Sequence, residues 1–366
     1  MERLTAEVAL AAREWRDPRP FDTVYFGGGT PSQLRPEELG RVLDACRTHL
    51  ALETTGPWVF LEANPEDVTA EACAAWRGLG VRTLSLGVQA FDDLALRFLG
   101  RHHTGAQARA AVETALGAGL HTVSVDLIFG LPGQTEGRWR QELAAAVELG
   151  AQHLSCYQLT VHSGTQFGAR AKAGQLTELP EDEQAGLFEL THRVLADAGW
   201  AAYEVSNFAH GREHESRHNR KYWDHTPYLG LGPSAHSLSI DASPAPALRA
   251  RRWWNERGTP RWENRVAAGE RPVEGEEALS AKDLATEALL LGLRTTAGID
   301  LERFAARYGV ELLTANDALV GRLVDEGRIV LRGRWLVPTL SGLAVADGLA
   351  AAFELLSPEE GRTRRP

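Results

Sequence analysis

Asp22–Ser32 reads DTVYFGGGTPS. Thr23–Phe26 is a short β-branched and aromatic run, the pattern of a strand. Gly27, Gly28 and Gly29 follow at once. Glycine permits backbone conformations and close approaches that a Cβ forbids, so this triplet is either a tight turn or a cradle for a ligand. The spacing matches neither the dinucleotide fingerprint nor the Walker loop.

The same unit recurs downstream. Dense apolar runs at Trp58–Glu62, Thr83–Val88, Thr122–Ile128, His153–Leu159 and Ala201–Val205 predict further strands. Helical patterns over 36–50 and 69–79 lie between them. Strand–helix alternation implies parallel strands with helices outside, because parallel strands need crossover connections. The fold class is therefore α/β: an open doubly wound sheet or a full or partial β/α barrel.

Ligands of such folds collect at the carboxyl ends of the strands. There the chain carries Gly27-Gly28-Gly29-Thr30, then Glu62 in LEANPEDVT, Gln89 in SLGVQAFDD, Arg101 in LGRHHTG and Asp126 in VDLIFGLPGQT. Glu62 suits either a loop cap or an acceptor for two ribose hydroxyls. Asp126, inside an apolar run, needs a partner when buried; a structural salt bridge and a ligand contact both answer that need.

Composition narrows the partners. The 366 residues are 43% hydrophobic and 24% charged, with 39 basic and 49 acidic side chains and a net charge of −10. That balance argues against nucleic-acid and anionic-lipid surfaces. Three cysteines cannot build a disulfide framework, which points to a reducing cytoplasm. No apolar run approaches the roughly 20 residues of a membrane span. The chain opens on an amphipathic helix, with Leu4, Val8, Ala11 and Trp15 on one face, and Glu2, Glu7 and Glu14 exclude a signal peptide.

Beyond Val205 the reading is an irregular segment, 206–277, rich in His, Trp and Arg. Five of the twelve histidines, His210, His214, His218, His225 and His236, fall within it. H-x3-H-x3-H places three imidazoles on one face of a helix, a plausible zinc arrangement, or lies in a solvated polar loop. Ser280 and Asp283 then form a capping box. Helices at 301–308 and 314–326 end at Gly309 and Gly327, and two short strands flank Arg332–Gly333 before a last helix to about 354. This is a winged-helix order, yet from Ser280 to Ser341 it holds eight basic and eight acidic residues. It has no electrostatic footprint for DNA.

FGGGTPS, LEANPEDVT, SLGVQAFDD, LGRHHTG, VDLIFGLPGQT and YEVSNFA together resemble the oxygen-independent coproporphyrinogen oxidase-like branch of the radical-SAM superfamily. Within it the chain is most similar to the HemW-type haem chaperones, whose HNxxYW motif matches His218-Asn219-Arg220-Lys221-Tyr222-Trp223. The resemblance implies a partial parallel β/α barrel lacking its first strand (1–205), a segment closing the pocket (206–277), a small winged-helix-like domain (278–356) and a tail (357–366). It implies S-adenosylmethionine held by Gly27, Gly28, Gly29, Thr30, Glu62, Gln89, Arg101, Asp126, Thr160 and His236. It implies haem bound by His218, Asn219, Tyr222 and Trp223, with nearby Lys and Arg on the propionates, and handed to membrane-bound respiratory acceptors. Two alternatives stay open: coproporphyrinogen III dehydrogenation by a radical enzyme, and a cluster-free metal- or haem-binding scaffold. Oligomers are possible.

The resemblance also implies a 4Fe-4S cluster on C-x3-C-x2-C, and this chain has no such motif. Cys46 and Cys73 lie on apolar helical stripes and Cys156 within a strand, so none is an expected ligand. A reading frame that starts upstream of Met1 is the favoured explanation, a cluster-free member the other. In either case an uncovered sheet edge is expected to make this chain less stable than an extended one.

Overall fold

The computed structural model describes residues 1–241, 243 and 245–355. The tail 357–366 and residue 356 lie outside them. Two compact units result. One holds Thr23–Pro36 and Trp58–Ser216; the other holds Met1–Asp22, Glu37–Pro57 and the chain from Arg217 onward.

The first unit is built on a seven-stranded sheet. Strands β1 (Thr23–Phe26), β2 (Trp58–Ala63), β3 (Val81–Gln89), β4 (Thr122–Phe129) and β5 (His153–Gln158) run parallel in sequence order. Helices over Ala70–Gly78, Gly105–Gly117, Glu136–Glu148 and Glu181–Asp197 connect or follow them. The first three start on side-chain caps: Thr69 accepts from the Ala72 N–H, Thr104 and Gln107 form a capping box, and Thr135 accepts from the Arg138 N–H.

The parallel strands alternate in polarity. Val59, Leu61, Leu84, Leu86, Val123, Val125, Leu127, Leu154 and Cys156 are buried apolar positions of one parity. The opposite parity carries Glu62, Thr83, Ser85, Thr122, Ser124, Asp126, His153 and Ser155, placed side by side by the register. Polar groups are tolerated on an inner face only when bonded. Here the Trp58 indole N–H donates to Thr83 at 2.8 Å, and the His153 ring meets Ser124 at 2.7 Å and the Tyr203 hydroxyl at 2.8 Å.

The expected strand Ala201–Val205 is mostly not one. Only β6 (Ala201–Ala202) forms, antiparallel to β7 (Asn207–Ala209), which in turn pairs antiparallel with β5. The Tyr203 N–H donates to the Asn207 carbonyl at 3.2 Å, so the chain reverses there instead of extending.

In the second unit, the segment expected to be irregular contains two helices, Arg217–Trp223 and Thr259–Ala267, and a three-stranded antiparallel sheet: β8 (His236–Ile240), β9 (Arg249–Asn255) and β10 (Val273–Ser280). Helix Ala281–Gly292 starts on the capping box at Ser280 and Asp283. It packs into a buried cluster with Leu238, Phe304, Leu323, Ile329 and Leu336. A second small sheet has the order β11 (Ile299–Asp300), β13 (Trp335–Pro338), β12 (Ile329–Arg332). Gly309 ends its helix with φ +69°, as a left-handed cap requires. The expected helix over 314–326 is two pieces, Leu312–Ala315 and Asp317–Asp325, broken at Asn316. The buried Asn316 amide donates to the Leu312 and Glu354 carbonyls at 2.9 Å each.

The opening helix, Glu2–Glu14, is held in this unit by a buried carboxylate. Glu7 accepts from the Gly232 N–H at 2.8 Å, Asn255 Nδ2 at 2.6 Å and the Trp262 indole at 3.0 Å.

Candidate functional site

Beyond the carboxyl ends of β1 to β4 lies a cavity of about 240 Å³. Gly29, Thr30, Glu62, Asn64, Ser85, Gly87, Gln89, Arg101 and Asp126 line it. Of the expected residues, Gly29, Thr30, Glu62, Gln89, Arg101 and Asp126 thus come onto one wall.

The glycine triplet is both turn and close approach. Gly28 and Gly29 have φ of +77° and +69°, the left-handed region that favours glycine. A Cβ on Gly27 would lie 2.3 Å from the Tyr25 ring and 2.9 Å from Glu62 Oε1. The loop therefore folds onto Glu62, whose carboxylate accepts from the Tyr25 hydroxyl at 2.5 Å and the Gly28 N–H at 3.1 Å. Each carboxylate oxygen keeps a lone pair for a ligand hydroxyl.

Asp126 is half-buried at the floor. Ser85 Oγ donates to its two oxygens at 3.1 and 3.2 Å, and Ser155 adds another bond. Burial pushes its carboxyl up to about 6; the Ser155 and Ser85 bonds oppose this, Glu62 adds to it and Arg101 opposes it. Burial lowers Arg101, against the attraction of Glu66 and Asp126. The ladder between β3 and β4 is irregular from Leu86 to Gln89, and Gln89 takes φ +67°.

Four expected members do not line this wall: Gly27 and Gly28, which form the turn leading to it, and Thr160 and His236. Thr160 is exposed, its hydroxyl 3.4 Å from the Gln158 carbonyl. His236 belongs to the other unit, exposed on β8 and stacked on Trp254 with ring centres 6.0 Å apart. Tyr25, Asn64, Ser85 and Ser155 were missed by sequence reasoning. The wall can accept vicinal hydroxyls at its carboxylates and pair a carboxylate at Arg101, which fits a nucleoside bearing a charged side arm.

The HNxxYW residues occupy helix Arg217–Trp223. The His218 and Tyr222 rings meet edge to face at 5.1 Å, and Tyr222 meets Tyr228 at 4.9 Å. Tyr222 is 40% exposed, while His218, Asn219 and Trp223 are half-buried. Burial, with Lys221 adding and Asp22 opposing, drops His218 to about 4, so its imidazole is neutral at neutral pH. Lys221, expected as a propionate partner, is paired with Asp22 at 2.7 Å. Just past the helix, buried His225 bonds Glu287 at 3.1 Å.

The three-histidine face does not form. His210 follows β7, His214 ends the short 3-10 helix Arg212–His214 and His218 lies on helix Arg217–Trp223. The cysteines are likewise scattered, in helix Pro36–His49, helix Ala70–Gly78 and β5, and all are buried. Burial raises all three thiols, Cys46 to about 11, whereas cluster ligation needs accessible thiolates. Among the described residues no group of three or more His, Cys, Asp or Glu is placed to hold a metal ion. The residues present do not fit a 4Fe-4S cluster.

A family model described as the radical SAM superfamily matches residues 1–146, and one described as the HemN C-terminal domain matches 279–345. The heme chaperone HemW of Mycobacterium tuberculosis is 37% identical over 90% of this chain and 82% of that protein. HemW of Bacillus subtilis is 32% identical over 84% and 78%. The solved coproporphyrinogen III oxidase HemN of Escherichia coli superposes with a TM-score of 0.77 over 96% of this chain and 81% of that one, at 18% identity, a likeness of fold alone. With sequence identity of this extent over both chains, the protein belongs to the HemW family of the radical-SAM superfamily.

Proposed function

We propose that this protein is a haem chaperone: it binds haem at helix Arg217–Trp223 and passes it to membrane-bound respiratory haem proteins. The observation that carries this reading is His218, a neutral imidazole set in a row of aromatic rings. A neutral imidazole is the form that ligates iron, and flat rings give a porphyrin face apolar contact. Asn219 and Trp223 complete the motif on the same short helix. The HemW relatives support the reading by name. No helix among the described residues is long and apolar enough to cross a membrane, and we place the protein in the cytoplasm.

The strand-end cavity is proposed to hold S-adenosylmethionine, the cofactor for which the superfamily is named. When bound, it supplies a sulfonium-activated nucleoside. Glu62 accepts its ribose hydroxyls, the glycine turn admits its amino-acid end to the backbone, and Arg101 attracts its carboxylate. Gln89 and Asp126 orient the remainder by hydrogen bonding. We derive no radical step, since no thiolate set fits the cluster that such chemistry needs.

Haem titration of the purified full chain tests the chaperone reading. A shifted Soret band is expected, weakened at least about tenfold in affinity by His218→Ala, the scale of a lost buried ligand. Unaltered binding in that variant removes His218 as ligand, and no spectral response in the unaltered chain removes the function.

A further inference from the structure

Gln89 reaches the cavity from the end of β3 and Arg101 from the loop after helix Asp93–Phe98, and one residue off the wall touches what holds both. His103 follows Arg101 by two positions, and its side chain is 1% exposed. Its Nε2 lies 3.0 Å from the Val88 carbonyl and its Nδ1 lies 3.3 Å from Glu66 Oε2. A carbonyl oxygen only accepts, and so does a carboxylate. Nε2 therefore donates to the Val88 carbonyl, and Nδ1 faces the Glu66 carboxylate.

The two acceptors sit next to cavity residues. Val88 immediately precedes Gln89, whose φ of +67° is a left-handed conformation in a non-glycine residue. Such a conformation is strained and persists only where the surroundings enforce it. Glu66 lies two residues beyond Asn64, in the short 3-10 helix Pro65–Asp67. The far side of the same loop is fixed too. Glu142 accepts from the Phe91 and Asp92 N–H groups at 2.5 and 3.0 Å. The Gly105 N–H donates to Asp93 Oδ1 at 2.8 Å.

We propose that His103 is a positioning residue: by clamping Val88 to Glu66 it holds Gln89 in its strained turn and fixes Asn64 and Arg101 for an adenosyl ligand. This rests on the reading that the cavity takes such a ligand. S-adenosylhomocysteine, titrated calorimetrically into the full chain, is the probe. Glu66→Ala should weaken binding about tenfold, the worth of one charge-assisted hydrogen bond. Glu66→Gln, which keeps an acceptor oxygen, should restore it, with both variants melting like the unaltered chain. Equal affinity in Glu66→Ala overturns the clamp. Should the unaltered chain bind no S-adenosylhomocysteine, the ligand reading fails, and a ligand-free measurement then judges the clamp. Amide exchange at Gln89–Asp92 should accelerate in Glu66→Ala. Unchanged exchange overturns it.

Discussion

Asp126 carries an energetic conflict. Its carboxyl rises to about 6 in the fold from an ordinary value of 3.8, chiefly through burial. A raised acid contributes stability that is whole below pH 3.8 and is lost as pH climbs through 6. Asp126→Asn mimics the neutral acid at every pH. It should therefore stabilise the protein above pH 6 by about 3 kcal/mol, the difference closing as pH falls, while weakening the adenosyl ligand. Urea unfolding at neutral and acidic pH, beside a binding titration, checks both halves; a variant less stable at neutral pH would contradict the assignment. Asp126 and Glu62 were legible in the sequence because a lone acid ending an apolar run needs a reason. Ser85 was not, since a serine in a strand announces nothing until the register sets it opposite Glu62 and within reach of Asp126. Thr160 and His236 were carried over from motifs of looser spacing, and neither lines the wall.

Among the elements, the junction of the Arg101 loop with helix Gly105–Gly117 is the tightest. A Cβ at Gly105 would fall 1.9 Å from the Phe91 carbonyl oxygen, a backbone atom that cannot swing aside. Gly105→Ala should cost about 1–3 kcal/mol, the range of core overpacking, and should loosen the Gln89 turn with it. A melting curve like that of the unaltered chain would show that the loop yields freely. The parallel strands were readable from dense apolar runs between capped helices. The reversal at Tyr203 was not: AAYEV has the composition of a strand, and only the pairing of β7 against β5 turns the chain back. The three strands of the β8–β10 sheet were hidden by charge. Arg251 and Arg252 pair with Glu276 and Glu277 across the ladder, so its residues look like solvated loop until the strands are aligned.

Across the whole molecule, burial lowers four imidazoles; His214 shifts in the same direction as the three furthest moved, His153 at about 3 and His192 and His218 at about 4, against 6.5 unfolded. The unfolded chain binds these protons first. Stability is thus full above pH 6.5 and falls as the pH drops toward 4. Each tenfold loss of proton affinity on folding corresponds to about 1.4 kcal/mol, and three histidines outweigh the opposite tendency of Asp126. Melting temperature should decline over that window well before the carboxylates as a class are protonated; a flat profile would refute it.

The seven-stranded sheet ends differently on its two sides. β6 is two residues long, whereas β1 offers four, and among the described residues no strand pairs with its outer side. Recruitment is therefore lopsided. An added peptide running in the direction of Thr23–Phe26 meets the outward backbone groups of alternate residues, while at Ala201–Ala202 it finds too short a template to stay. A grafted segment meant to enlarge this scaffold belongs beside Tyr25, where it would also become a new neighbour of the Glu62 hydroxyl partner.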